Sequence, residues 1–318
     1  MPPKLFLTGG SGYIGSTLIP LFLSHSYTIT ALSRTPSSDS KLLSLGATPI
    51  RGSLTSLSVL SSCARDADIV ISIADAKSGD LALDNEERMR INEAANDALA
   101  EGLAAGKTDG ERALVLTSGT LVAASDPEGK ETDETSPGWP EGHWAAFELG
   151  RMKKEYLEAG IRVCQVRLAP WVYGRGGSGV GLFMGIWKSE GEGMVVQGGE
   201  VGTTAVHVDD VVELYLRVTE RGRTGESYNA SAQTDVTQRQ LAEAICKAIS
   251  VPCKSLAFEE AVGKVGPFLA GFLSVGNKAS SRKAREELGW ETRGPGILEE
   301  IEQGSYVEVA KALEVGGV

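Results

Sequence analysis

Short apolar runs alternate with longer amphipathic segments along the first two-thirds of this chain. The runs have the length of β-strands, and segments such as 87–106 carry apolar residues at helical spacing and end at a glycine. This alternation is typical of a parallel sheet covered by helices on both faces. The predicted strands are 4–9, 28–33, 48–52, 68–74, 112–118, 162–168 and 227–231. We therefore predict an α/β fold with a doubly wound parallel sheet.

A glycine-rich turn follows the first predicted strand directly. The segment TGGSGYIG places Gly9, Gly12 and Gly15 at GxxGxxG spacing. Glycines there permit a tight turn, allow a pyrophosphate to approach the backbone, and let the next helix pack closely and offer its free N–H groups. The motif closes a strand and opens a helix, so it predicts a Rossmann dinucleotide site; the alternative is a turn without a ligand. Pro20 is expected to kink or shorten that helix.

The end of the second predicted strand bears on the choice of nicotinamide cofactor. An acidic residue there would bind the ribose 2′-hydroxyl of NAD, whereas a basic residue accommodates the 2′-phosphate of NADP. The sequence TALSRTP places Ser33 and Arg34 at this position, and the nearest acid, Asp39, lies further along. The pattern favours NADP over NAD. The alternative is that Arg34 is a solvated loop cation.

Composition and charge narrow the classes of function. The 318 residues are 42% hydrophobic and 23% charged, which suffices for a full core. A net charge of −11 argues against nucleic acid and anionic membranes as partners. The cysteines lack CxxC spacing and the histidines lack HExxH spacing, so the sequence predicts no metal site or disulfide framework and favours a reducing compartment. Apolar stretches of signal or transmembrane length are absent, so a cytoplasmic location is expected.

The order of several motifs resembles the extended or atypical short-chain dehydrogenase/reductase superfamily, in particular its NAD-dependent epimerase/dehydratase-like branch. The matching pieces are TGGSGYIG, DIVISIA, Asn92, LVLTSGTLV, RLAPWVYGRG, AVHVDDVVELYL (205–216) and SSRKAREELGW (280–290). The resemblance implies a cofactor domain over 1–173, completed by about 203–231. It also implies a smaller C-terminal lobe, which binds substrate and is made of 174–202 and 232–318.

In that superfamily, proton exchange relies on Ser or Thr after strand five and on a Tyr-x-x-x-Lys pair of the next helix. The segment HWAAFELGRMKKEYLEAG (143–160) looks like the start of that helix, and alignment places Phe147 and Arg151 at the Tyr and Lys positions. Phe147 cannot titrate, whereas Arg151 can hold a ribose or phosphate as a fixed cation. The alternative for Arg151 is a surface ion pair with Glu155. Tyr156 falls on the opposite face of the predicted helix.

A proton would then come from water, from a substrate hydroxyl or from a nonstandard residue. Strand five ends in TSGT, where glycine takes the usual hydroxyl position and a slip of one residue would place Ser118 or Thr120 there. Tyr173 lies in a segment that passes close to the nicotinamide in the superfamily, although it also suits a packing role. His143 and His207 are further candidates; for His207 the alternative is a structural role beside a helix N-terminus.

The predicted site residues follow from these motifs and from the resemblance. The catalytic candidates are Ser118, Thr120, Arg151 and Tyr173. The expected cofactor contacts are Thr8, Gly9, Gly12, Tyr13, Ile14, Gly15, Ser33, Arg34, Ala74, Ser118, Arg151 and Pro170.

The sequence favours an NADP-dependent oxidoreductase of the ketoreductase or dehydrogenase type. The region 174–202 is rich in glycine and large apolar residues, which suits a small or medium apolar carbonyl or alcohol substrate better than a nucleotide-sugar. The alternatives are a non-redox isomerase, dehydratase or lyase, and an NADP-sensing regulator on the same fold. The expected partner is a small molecule, and the expected assembly is a monomer or homodimer.

Overall fold

The computed structural model describes residues 2–78, 83–106, 110–143, 145 and 150–315. The strands are β1 (Lys4–Thr8), β2 (Thr28–Ser33), β3 (Thr48–Arg51), β4 (Ile69–Ser72), β5 (Ala113–Gly119), β6 (Arg162–Leu168), β7 (Trp171–Tyr173), β8 (Gly193–Val196), β9 (Gly202–His207), β10 (Ser227–Ala230), β11 (Gln233–Thr237) and β12 (Cys253–Leu256).

The helices lie between these strands and at the C-terminal end. They are α1 (Tyr13–Ser24), α2 (Pro36–Ser44), α3 (Leu57–Asp66), α4 (Asn85–Ala105), α5 (Lys154–Glu158), α6 (Ser178–Glu190), α7 (Val208–Arg221), α8 (Gln238–Ala248), α9 (Phe258–Ser274), α10 (Arg282–Leu288), α11 (Ile297–Gln303) and α12 (Tyr306–Val315). Two short 3-10 turns occupy Ala76–Ser78 and Thr120–Val122.

A seven-stranded parallel sheet forms the centre, in the order β10-β6-β5-β4-β1-β2-β3. The order reverses beside β1, between β4 and β2, and the carboxyl ends of these strands meet at one edge. Apolar side chains on both faces are buried, with separate clusters above and below the sheet. This confirms the predicted doubly wound α/β fold, and each of the seven predicted strands is present.

Pro20 does not end the first helix, contrary to the expectation that it would shorten it. Helix α1 continues through Pro20 to Ser24. Pro20 is exposed, so water can reach the carbonyl of Ser16 that loses its helical N–H partner. The helix therefore keeps its length, because water can replace the hydrogen bond that the Ser16 carbonyl loses.

The prediction of a helix that starts near His143 is wrong for residues 150–153, which are not helical. Helix α5 begins only at Lys154, and Gly150 adopts φ +62° in a turn. A Cβ at Gly150 would overlap the carbonyl oxygen of Thr117, and Gln165 Nε2 donates to the Gly150 carbonyl at 2.8 Å. These contacts hold the chain against the sheet in a non-helical conformation. The predicted position of Phe147 lies outside the described residues.

A second hydrophobic core lies among the elements after β6. Two small sheets, β11-β9-β7 and β12-β8, pack with α6, α8, α9, α11 and α12. Its largest buried side chains include Trp171, Trp187 and Tyr306. Helix α9 is broken at Gly266, which adopts φ +79° before Pro267. This break sets the direction of the last part of α9, which lines the cleft described below.

Gly102 on α4 and Gly185 on α6 provide a test of helix packing. A Cβ at Gly102 would overlap the carbonyl of Ser61 on α3 and lie 2.7 Å from its Cα, whereas a Cβ at Gly185 meets no atom within 4 Å. Helix propensity favours alanine by about 0.8–1 kcal/mol at both positions. We expect Gly185→Ala to stabilise the protein and Gly102→Ala to destabilise it by about 1–3 kcal/mol, because α3 must move away. Urea unfolding of both variants measures this, and stabilisation by both would contradict the packing.

Candidate active site

A cleft of about 580 Å³ opens at the carboxyl ends of β1, β2 and β4. It lies where the strand order reverses, which is the usual place for a ligand in such sheets. The predicted residues Gly9, Gly12, Tyr13, Ile14, Gly15, Arg34 and Ala74 all line it, together with Ser11, Leu32, Ser53, Leu54, Thr55, Ile73, Asp75, Ala76, Ile91 and Leu168.

The glycine turn has the geometry that a pyrophosphate needs. Gly9 adopts φ +78°, and a Cβ there would lie 2.9 Å from the backbone N of Ala74. At Gly15 a Cβ would overlap the carbonyl of Gly9, so α1 packs directly on the turn. The first turn of α1 carries no acidic residue, and its N-cap, Gly12, makes no side-chain cap. The helix N-terminus therefore presents backbone N–H groups and no negative charge to the cleft.

Thr8 supports the turn from beneath. Its side chain is fully buried, and its Oγ1 accepts the backbone N–H groups of Ile73 and Ala74, both at 3.2 Å. On the same level, Ser72 Oγ donates to Asn96 Oδ1 of α4 at 2.9 Å. These bonds join the ends of β1 and β4 to α4. Thr8 thus positions the cleft wall and does not itself line the cleft.

The segment after β2 places cations around the outer end of this cleft. Arg34 lines the cleft, whereas Ser33 is buried and its Oγ donates to the Thr35 carbonyl at 3.3 Å. Asp39 forms an ion pair with Arg51 and does not line the cleft. Lys41 Nζ donates to the carbonyl of Ser11 in the glycine turn at 2.9 Å. Lys41 was not among the predicted site residues, because only the fold brings α2 beside the turn.

A second cleft of about 770 Å³ adjoins the first and shares Leu54, Ile73, Ala74, Asp75 and Leu168 with it. Pro170 and Ser118 line this second cleft, as do Lys77, Arg88, Asn92, Asn96 and Thr117. Its remaining wall is mostly apolar, with Leu121, Leu182, Ile186, Val265, Phe268 and Leu269. We call it the substrate cleft below. It lies between the large sheet and helices α6 and α9.

Ser118, at the end of β5, is the catalytic candidate that lines the substrate cleft. The residue is 5% exposed, and its buried hydroxyl has no hydrogen-bond partner among the described residues. A buried hydroxyl without a partner loses the free energy of its hydrogen bonds to water. A ligand oxygen in the cleft would restore one of those bonds.

The hydroxyls of Thr120 and Tyr173, two further catalytic candidates, are bonded to C-terminal segments of the protein. Thr120 Oγ1 donates to Asn277 Oδ1 at 2.9 Å and is buried. The hydroxyl of Tyr173 donates to the Pro295 carbonyl, and burial raises its pKa above the ordinary tyrosine value. Neither lines either of the two clefts. Thr120 instead connects the turn after β5 to the C-terminal segments, and Tyr173 connects β7 of the three-stranded sheet to them.

Arg151 and Tyr156 line a third pocket of about 300 Å³ beside α4, which shares Asn92, Asn96 and Gly150 with the substrate cleft. Arg151 lies before the start of α5, so it and Glu155 do not share one continuous helix. The Tyr156 hydroxyl donates to Asp97 of α4, and burial together with this bond raises the tyrosine pKa. Lys153 Nζ contacts the same carboxylate at 2.7 Å. This group attaches α5 to α4 and does not line the substrate cleft.

The two candidate histidines, His143 and His207, line neither of the two clefts. His207 is buried, its Nδ1 accepts the N–H of Asp209 at 3.2 Å, and its ring packs edge-on against Tyr173. His143 stacks on Trp139 with ring centroids 4.0 Å apart. Both arrangements are structural in geometry.

A polar cluster at the junction of the two clefts was not predicted. The carboxylate of Asp75 accepts Arg88 Nε and Nη2 at 2.9 Å each, and Asn92 Nδ2 donates to it at 3.1 Å. Asn92 Oδ1 in turn accepts the backbone N–H of Ala76 at 2.9 Å. Asp75 follows the strand motif DIVISIA, but its partners lie one helix further along the chain. No pattern in the sequence indicates that Asp75 pairs with Arg88 and Asn92.

The described residues contain neither a helix suited to cross a membrane nor a cluster suited to hold a metal ion. Within these ranges no helix combines the length and apolar character needed to cross a membrane. In the same part of the chain, no group of three or more His, Cys, Asp or Glu side chains is arranged to hold a metal ion.

The seven-stranded parallel sheet and its glycine turn define a Rossmann-type dinucleotide fold. A sequence model of the NAD dependent epimerase/dehydratase family matches residues 5–231, and the chain belongs to that family. A Schizosaccharomyces pombe protein, "Uncharacterized protein C2A9.02", is 28% identical over 307 residues, which cover 95% of this chain and 99% of that protein.

Solved structures share the fold at low identity. UDP-glucose 4-epimerase of Thermotoga maritima has a TM-score of 0.74 at 19% identity and covers 97% of this chain and 99% of its own. DesIV, the dTDP-glucose 4,6-dehydratase of Streptomyces venezuelae, has a TM-score of 0.74 at 18% identity and covers 97% of each chain. The latter structure contains bound NAD. At these identities the likeness concerns the fold.

The Asp75–Arg88 pair provides a stability test of the junction. The two side chains are only 22% and 11% exposed, so removing one partner leaves a poorly solvated charge. We expect Asp75→Ala to lower the free energy of unfolding by about 1–3 kcal/mol. The exposed pair Lys311–Glu308 is the control, and Glu308→Ala should change it by less than about 1 kcal/mol. Equal effects in denaturant titrations would show that Asp75 does not hold the junction.

Proposed function

We propose that the protein is an NADP-dependent oxidoreductase of the ketoreductase or dehydrogenase type, acting on a small or medium apolar carbonyl or alcohol. One observation carries the proposal. The dinucleotide cleft adjoins an apolar cleft whose wall contains Ser118, and the buried hydroxyl of Ser118 has no hydrogen-bond partner among the described residues.

The residues present fit a nicotinamide dinucleotide. The cradle of Gly9, Gly12 and Gly15 would hold the pyrophosphate at the N-terminus of α1, where added Cβ atoms would clash or narrow the turn. Arg34, with Lys41 close to the turn, would hold a 2′-phosphate, because Asp39, the next carboxylate along the chain, is engaged by Arg51. Bound there, NADP supplies the hydride chemistry.

Ser118 would orient the substrate oxygen by donating a hydrogen bond to it. The family's usual tyrosine and lysine positions hold Phe147 and Arg151 in this sequence, so the standard proton donor is missing. The hydroxyls of Thr120 and Tyr173 are already bonded within the protein. A serine hydroxyl does not titrate near neutral pH, so Ser118 would keep its proton. The hydride would go to the carbonyl carbon, and water would supply the proton that reaches the product oxygen.

The lining of the substrate cleft supports an apolar substrate. A nucleotide-sugar carries a diphosphate that needs several cationic contacts. In this cleft the guanidinium of Arg88 is held by Asp75, and the far wall is formed by aliphatic side chains and Phe268.

The four cysteines are free thiols, which supports action in a reducing compartment such as the cytoplasm.

Arg34→Ala tests the cofactor preference. A charge-assisted contact contributes about 1.5–3 kcal/mol, so we expect the Kd for NADPH to rise roughly 10- to 100-fold. The Kd for NADH should not change, because it has no 2′-phosphate. Titration calorimetry with both cofactors measures the difference, and an equal loss for both would contradict NADP specificity.

Ser118→Ala tests the role of the hydroxyl. Removing one donor to a developing oxyanion costs roughly 100- to 1000-fold in kcat. We expect kcat/KM for NADPH-dependent ketone reduction to fall on that scale while the Kd for NADPH stays constant. Ser58→Ala, at an exposed position of α3, is the control and should be neutral. Tight NADPH binding with no oxidation across a broad ketone panel would instead favour the cofactor-sensing alternative.

A further inference from the structure

Lys77 is a cation of the substrate cleft without a carboxylate partner among the described residues. It lies in the 3-10 turn after β4, where its backbone N–H donates to Asp75 at 2.8 Å. The other cation of this lining, Arg88, is held by that same carboxylate. Several other lysines pair with acids, as Lys264 does with Glu192. Lys77 therefore brings uncompensated positive charge to the cleft, as far as the described part of the chain shows.

The Lys77 ammonium lies over an aromatic ring of helix α9. Its Nζ lies 5.2 Å from the centroid of the Phe268 ring on α9. The break of α9 at Gly266 and Pro267 precedes Phe268, so the last part of the helix brings this ring to the cleft wall. A cation over an aromatic face is attracted to the ring and keeps its N–H donors available. The side chain of Lys77 is half-buried, which reduces screening by solvent.

The surroundings of this cation are apolar. Leu121, Leu182, Ile186, Val265 and Leu269 line the same cleft. A ligand that fills it would bury an apolar body against these side chains and meet one ammonium at one end. A single ammonium suits a single carboxylate, whereas a diphosphate needs several cations. The net charge of −11 disfavours anions over most of the remaining surface, which makes this local positive charge selective.

We propose that Lys77 binds the carboxylate of the substrate, so that the substrate class is an apolar keto acid or the corresponding hydroxy acid. This inference rests on the proposed oxidoreductase function and names its substrate class. Ser118 would then contact the carbonyl oxygen and Lys77 the carboxylate of the same molecule. Lys77 is a specificity-determining residue in this scheme and takes no part in proton transfer.

A binding experiment tests the carboxylate site without turnover. The probes are 4-phenylbutanoate and its neutral counterpart 4-phenylbutanamide, titrated calorimetrically into the protein saturated with NADP⁺. We expect the wild type to bind the acid roughly 10- to 100-fold more tightly than the amide. Lys77→Met keeps an unbranched stem beside Phe268, and we expect it to lose this preference while binding the amide as the wild type does. Lys311→Met, at an exposed lysine of α12, should keep the preference.

Several results would overturn the inference. These are equal binding of acid and amide by the wild type, no binding of the acid at millimolar concentration, and a preference that survives in Lys77→Met. NADPH oxidation with 4-oxo-4-phenylbutanoate and its methyl ester separates this inference from the proposed function. Equal reduction of acid and ester would reject the carboxylate site and keep the oxidoreductase. A preference lost in Lys77→Met without reduction of any ketone would reject the oxidoreductase and keep the site.

Discussion

The packing of α1 directly on the glycine turn is the constraint on which the rest of the site depends. A side chain at Gly15 would overlap the carbonyl of Gly9, and one at Gly9 would press on the backbone of Ala74. This packing brings the N-terminus of the first helix to the edge of the sheet where the strand order reverses. The backbone N–H groups there provide partial positive charge in a protein whose net charge is −11.

Buried polar contacts connect the cleft at the glycine turn to the substrate cleft. Thr8 accepts two backbone N–H groups from the loop after β4, and Asp75 in that loop binds Arg88 and Asn92 of α4. The loop is thus held on both sides, and its residues form the shared wall of the two clefts. Satisfied networks of this kind fix a geometry, because leaving a buried partner unpaired is costly.

The proposed chemistry is consistent with what the cleft retains and what it lacks. Hydride transfer belongs to the cofactor, so the protein must mainly orient the substrate and shield it from water. In the proposed scheme a serine hydroxyl, an apolar wall and a lysine of the same cleft orient the substrate. The proposed alignment places phenylalanine and arginine at the positions that usually exchange a proton, and no described tyrosine lines the substrate cleft.

The sequence by itself determined the sheet and the glycine turn, because apolar runs buried on both faces and a motif of adjacent residues are local signals. The tertiary structure alone decided which of these two nearby residues lines the substrate cleft: Ser118 does, whereas the hydroxyl of Thr120 bonds Asn277. It also overrode the helical pattern at Gly150, which contacts on β5 and β6 hold in a turn. Pairs such as Asp75–Arg88 and Lys77–Phe268 join segments that only folding brings together, so no local pattern could have indicated them.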